Sequence, residues 1–405
     1  MRRLVGIIVL VSLFFAPAAA AQKGSSQHLP ADLLYVGVGD VEGTDTRSPN
    51  VLMRLDAKTL TSSVFYYDPS LWLGLVPLAW SPNGSYLAVL QEHHGDETMD
   101  LCLITRAGAL HHCFERVVNE NNYVNRGVRQ LLYQVTWSED EQFIYFYREE
   151  SDRFRLVEAD TASGETIQVL YELTIPPDSS TALYWPQSLA YIVTCTSQSS
   201  AARLDGASRP YYVYDVEVVS RDARGDFNEV TDISSLVESN TSFCAGISPD
   251  GTKLAAVHYA DNGYPELWFL DATGQVVEAV STSYFEAQNI SSVAPPSWQR
   301  DSSAVYFWGF SQMLDGSEQS PSLYRYVLGA REPVKLIGNE AFGFRHALGM
   351  GNYLVVAPDA SAVAFNYVLQ SVPVELAVAT ADGAVLCFDE IKPVMPQLLW
   401  FPENE

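Results

Sequence analysis

The chain has 405 residues, of which 47% are apolar, 12% aromatic and only 18% charged, a composition that excludes disorder and supplies material for a large core. Its 24 Lys and Arg stand against 49 Asp and Glu, and the resulting net charge of −25 argues against nucleic acid or an anionic membrane as the main partner. A prior of about 150 residues per domain would give two or three domains, so the internal pattern has to decide.

At the start, Arg2 and Arg3 precede an apolar run over 4–15 and a small-residue stretch ending at Ala20-Ala21. This is the pattern of a signal peptide over 1–21, and it predicts a secreted or periplasmic protein. The run is shorter than the ~20 residues needed to cross a bilayer, and no later stretch approaches that length. Residues 22–31 read as a short flexible linker and 32–405 as one domain.

Three strands follow, over 33–38, 51–55 and 63–67, with no special residue leading them. Then a repeat begins, in which a bulky residue and a polar turn precede an alternating apolar strand. Trp80-Ser81-Pro82-Asn83-Gly84 leads into 86–90, and Trp137-Ser138-Glu139-Asp140-Glu141 into 143–147. Trp185-Pro186-Gln187-Ser188, Ile247-Ser248-Pro249-Asp250-Gly251, Trp298-Gln299-Arg300-Asp301 and Val356-Ala357-Pro358-Asp359 each lead into a further strand. A seventh copy, Trp400-Phe401-Pro402-Glu403-Asn404, comes at the end of the sequence with no strand after it. The lead residues lie 44 to 62 positions apart and average 53, the length of a four-stranded propeller blade. Three strands without a leader at one end and a leader without strands at the other make one blade between them. The expectation is therefore all-β, a seven-bladed β-propeller closed by pairing the N- and C-terminal strands, with six blades as the alternative if the unit led by Trp185 fails.

The repeat resembles that of the TolB-like, WD40-like β-propeller family, most closely at Ser248-Pro249-Asp250-Gly251-Thr252-Lys253-Leu254-Ala255 and Ser81-Pro82-Asn83-Gly84-Ser85-Tyr86-Leu87-Ala88. That resemblance implies a scaffold for interactions. The repeat residues Trp80, Pro82, Gly84, Trp137, Trp185, Pro249, Asp250, Gly251, Trp298, Pro358, Asp359 and Trp400 explain themselves structurally: Pro and Gly shape the turn, Asp caps it, and the bulky leader packs between blades.

In a four-stranded meander the first-to-second and third-to-fourth turns share one face, and these turns are short in every unit. The opposite face carries the long connections, 39–50, 119–132, 196–210, 310–321 and 338–351. Long loops on a rigid scaffold are the usual place for binding residues. Candidate ligand-binding residues on that face are Asp40, Glu42, Glu92, Asp96, Glu97, Glu149, Glu150, Asp152, Asp261 and Tyr264. Solvated surface charge is the competing account of the acids.

Cys102 and Cys113 fall opposite each other across a hairpin, Cys195 and Cys244 are the next candidate pair, and Cys387 is left over. Four of the seven histidines, His93, His94, His111 and His112, fall in one unit, but adjacent residues of a strand point to opposite faces and no zinc-binding spacing occurs. No metal ligands are assigned; Ca²⁺ at the acidic loops is the one cation considered. The nucleophile elbow, the phosphate-binding loop and the dinucleotide fingerprint are absent. The combined expectation is a non-catalytic extracytoplasmic propeller, a monomer that binds a protein, peptide or other extracellular ligand through its long-loop face. Two rivals stand beside it: a glycan-acting hydrolase or lyase with loop carboxylates in the central funnel, and a cation-binding scaffold.

Overall fold

The computed structural model describes residues 28–39, 48–68, 71–93, 98–119, 134–150, 153–174, 179–198, 203–204, 210–211, 214–234, 246–312, 319–338, 354–367, 375–381, 383–388, 391, 393 and 398–402. The expected signal segment lies outside these residues. Leu29 is buried, and its N–H donates to the Ala57 carbonyl at 2.9 Å.

Seven antiparallel four-strand meanders form a seven-bladed β-propeller. Blade I takes its innermost strand, Leu398–Trp400, from the end of the chain; this strand pairs with Leu33–Gly39, followed outward by Ser48–Leu55 and Ser62–Tyr66. Blades II to VII follow in chain order, with inner strands Leu71–Trp80, Val135–Trp137, Ser179–Tyr184, Gly246–Ile247, Ile290–Val293 together with Ser297–Trp298, and Leu354–Val356. The uncertain unit led by Trp185 is a complete blade IV, with a small ribbon, Arg203–Leu204 paired with Pro210–Tyr211, inserted between its second and third strands. One short helix, Thr282–Ala287, links blades V and VI.

The core is divided. Six apolar clusters each join neighbouring blades, as where Leu34, Val36 and Leu52 of blade I meet Leu75, Leu87 and Val89 of blade II. Alternation along each strand puts one set of side chains into each of the two clusters flanking a blade. The lead tryptophans fill these seams: Trp185, Trp137 and Trp400 are 0%, 3% and 4% exposed. Truncating such a ring to Ala costs ~3–5 kcal/mol.

Polar stitches join the same neighbours. The Trp298 indole N–H donates to the Gly246 carbonyl at 3.1 Å, Trp400 to the Val355 carbonyl at 2.8 Å and Trp185 to the Thr136 hydroxyl at 2.9 Å, each reaching the preceding blade just before its lead residue. The disulfide Cys102–Cys113 joins the outer strands of blade II with Cα atoms 4.0 Å apart. Cys195 is also disulfide-bonded, while its expected partner Cys244 lies outside the described residues. Cys387 is exposed on the outermost strand of blade VII, Val385–Phe388.

Candidate functional site

The turn after each inner strand is built by its own side chains. In blade V the Ser248 hydroxyl accepts from the Lys253 N–H at 2.9 Å and donates to Asp250, whose carboxylate also accepts from the Thr252 N–H at 2.9 Å. Asp140, Asp301 and Asp359 hold the equivalent turns. Bonds from Ser138 and Ser303 hold the Asp140 and Asp301 carboxyls below the usual carboxylate range. For Asp250 burial pushes upward, and the bonds from Ser248 and Thr252 outweigh it.

The six turns of blades II to VII, with Phe401 and Pro402 of blade I, surround one end of the central channel, on the face of the short turns. There the channel opens into a cavity of about 320 Å³ lined by residues from every blade except V. Its wall repeats in layers. Ala79, Thr136, Val355 and Leu399 precede the lead residues; Trp80, Trp137, Val356 and Trp400 are the lead residues; and Pro82, Gln187, Arg300, Pro358 and Pro402 sit two positions after a lead residue. The indole nitrogens of Trp80 and Trp137 are buried with no acceptor among the described residues, so packing alone fixes these rings, Trp80 against Phe401 at 4.9 Å and Trp137 stacked on Tyr86 at 6.2 Å.

The outermost layer sets the chemistry. Proline has no N–H to offer a ligand, so a mouth ringed by Pro is inert toward acceptors. Arg300 and Gln187 break that ring, and both side chains are exposed. Among the described residues Arg300 is the one charged side chain lining the cavity, and it forms no ion pair there. Sequence reasoning missed both, which entered it only as members of the repeats led by Trp185 and Trp298; the available signal was a departure from Pro at the third motif position.

The long-loop candidates fare differently. Asp40, Glu42, Asp96, Glu97 and Asp152 lie outside the described residues, and so does His94. Glu150 pairs with Arg155 at 2.6 Å, and Arg155 and Arg153 both reach Glu172 at 2.7 and 2.8 Å, so the acid of blade III is met by its own arginines. Glu92 and Glu149 stand at strand ends on that face, and neither is free of partners. Asp261 and Tyr264 lie in the second-to-third turn of blade V, where the Tyr264 N–H donates to Asn262. Nearby, His258 stacks on Trp268 at 4.0 Å; burial lowers its pKa, with Glu266 and Asp261 opposing. His111 packs on Tyr86 and His112 on Phe114. Among the described residues no group of three His, Cys, Asp or Glu converges as a metal site, and no helix is long and apolar enough to cross a membrane.

No family model and no curated protein matches the chain. Solved structures share its fold. An oligogalacturonate lyase in complex with manganese is 12% identical with a TM-score of 0.53, covering 90% of this chain and 86% of its own. The β-propeller domain of the Trilobed protease from Pyrococcus furiosus is 14% identical with a TM-score of 0.51, covering 87% and 97%. A prolyl endopeptidase is 12% identical with a TM-score of 0.53; 94% of this chain spans 51% of that one.

These likenesses correct the functional expectation. A lyase and a prolyl endopeptidase carry the same propeller, so the architecture does not set a non-catalytic binding module apart from an enzyme, and the reading of a non-catalytic long-loop binder does not stand.

Proposed function

We propose that the protein recognises a small organic carboxylate in the axial cavity on its short-turn face. The observation that carries this reading is Arg300, an exposed guanidinium without a carboxylate partner among the described residues, at a cavity of mixed polar and apolar lining, in a chain of net charge −25. A guanidinium meets a carboxylate through two parallel hydrogen bonds. The valines, leucine and tryptophans of the wall accept an apolar body, and 320 Å³ is near the lower end of the ~300–1,000 Å³ typical of small-molecule sites. The turn aspartates around the mouth are committed to N–H donors of their own turns, which lessens their opposition to an anion. The motif residues quoted above support a TolB-like repeat, and Arg2, Arg3 and the apolar run after them support export.

Calorimetric titration with a panel of C3–C9 carboxylates tests the reading. At least one saturable ligand is expected, with Arg300→Gln weakening it at least tenfold, as expected for loss of a charge-assisted bond. Glu150→Gln, on the opposite face, leaves it unchanged. Identical affinities for Arg300→Gln and the parent chain would sink the proposal.

A further inference from the structure

The blades contribute unequally to the wall of the axial cavity. Counted round the ring from Arg300 in blade VI, blades II and III are each three steps away, one in either direction, so these two face it across the axis. The polar side chains that line the cavity from them are Trp80, Ser81, Thr136 and Trp137.

These side chains leave donors over. Ser81 is engaged within the fold: its hydroxyl accepts from the Tyr86 N–H at 3.0 Å and donates to Glu141. Thr136 is 9% exposed, and its hydroxyl accepts from the Trp185 indole N–H at 2.9 Å. A hydroxyl that accepts still has its own proton to donate, and among the described residues nothing takes the proton of Thr136. The lead tryptophans show the same imbalance. Trp185, Trp298 and Trp400 each donate to the preceding blade, whereas the buried indole N–H groups of Trp80 and Trp137 have no acceptor among the described residues. A buried donor without an acceptor costs free energy, which an oxygen supplied by a ligand would offset.

The side chains opposite Arg300 therefore suit an oxygen that accepts without donating. A carbonyl meets that description. A hydroxyl brings a further donor, and a second carboxylate brings a second negative charge into a chain of net charge −25. Building on the axial-cavity reading, we infer that the ligand is an oxo acid whose ketone lies at the end of the molecule away from the carboxylate. The carboxylate sits on Arg300, the methylene chain lies against Val355, Val356 and Leu399, and the ketone oxygen accepts from the Thr136 hydroxyl. An α-oxo acid, in which the two groups adjoin, does not reach both sides of the axis.

The test is calorimetry on the full chain with pentanoate, hexanoate and heptanoate, and with the same three acids carrying a ketone at the penultimate carbon. At least one oxo acid is expected to bind tenfold or more tightly than the plain acid of equal length. Thr136→Val should abolish that preference while leaving the affinity for the plain acid intact, Thr136→Ser should keep it, and Arg300→Gln should weaken both members of the pair. Because the paired acids are compared on the unaltered chain, the main outcome does not depend on a variant folding. Equal binding of the paired acids, both weakened in Arg300→Gln, would overturn the oxo acid while leaving the carboxylate site standing. A preference that persists in Thr136→Val would overturn the role given to Thr136. Absence of binding by all of these acids would overturn the inference, and failure of the wider carboxylate panel as well would remove the site.

Discussion

At the scale of single residues, the fifth position of the turn motif is the most constrained. Its φ is positive in all six described turns: Gly84 71°, Glu141 58°, Leu189 51°, Gly251 72°, Ser302 62° and Ala360 58°. For a residue with a Cβ this conformation costs about 1–2 kcal/mol. Two of the four non-glycines compensate by reaching the preceding blade, Glu141 to the Asn83 N–H and Ser302 to the Asp250 N–H at 2.9 Å. Leu189 is buried in the seam between blades III and IV. Among the described residues Ala360 has no such contact to offset its strain. Ala360→Gly should therefore raise stability in urea by ~1 kcal/mol. Gly251→Ala should lower it by more than that, since a Cβ there would lie 2.6 Å from Pro186 of blade IV. Urea melts showing Ala360→Gly neutral or destabilised would refute the account. Trp, Pro, Asp and Gly were legible in the sequence because their turn chemistry is specific. Glu141, Leu189 and Ser302 were not, because nothing in their chemistry announces a left-handed backbone that neighbouring blades hold in place.

At the scale of elements, closure rests on a strand of only three residues, Leu398–Trp400, reinforced by side chains at its end. The Asp32 carboxylate accepts from Arg54 at 2.6 Å and from the Ala57 N–H at 2.7 Å, while the Asp32 carbonyl accepts from the Phe401 N–H at 2.8 Å. Arg54 lies over the Phe401 ring at 4.8 Å, and the Pro402 carbonyl accepts from Arg106 of blade II at 3.2 Å. Deleting 398–402 exposes the edge of Leu33–Gly39 and the seam between blades VII and I. The expected outcome is a lower melting temperature and self-association by light scattering; an unchanged, monomeric melt would count against the latch. This closure was legible from counting, since leaders and strands were unequal at the two ends. The candidate site was less so. Loop length pointed to one face, whereas the axial cavity lies on the other, where six short turns and the Phe401–Pro402 segment gather residues about 50–60 positions apart in the sequence. Only the folded ring makes Gln187 and Arg300 neighbours of one opening.

At the scale of the whole molecule, the acid excess acquires a structural share. Asp56, Asp140, Asp160, Asp222, Asp250, Asp271 and Asp301 all lie in turns of the short-turn face, and hydrogen bonds from those turns lower every one of their pKa values. A carboxyl whose folded pKa is depressed contributes stability that is present above its unfolded value of about 3.9 and lost as pH falls through the folded value. The melting temperature should therefore drop steeply below about pH 4. An Asp140→Asn, Asp250→Asn, Asp301→Asn variant, which keeps acceptors in the turns but cannot titrate there, should show a shallower acid slope. Identical slopes would show that the turns do not govern acid sensitivity. Composition revealed how many acids the chain carries, but it could not reveal which of them were already bonded to backbone.

The pairing of Leu33–Gly39 with Leu398–Trp400 also orders events in time. The first strand of the propeller to be synthesised has its inner partner more than 360 residues later in the chain. Blades II to VII can form as they emerge, each from contiguous chain, while blade I stays one strand short until Leu398–Trp400 has emerged. The ring is thus a device that withholds its final shape from any incomplete copy of itself.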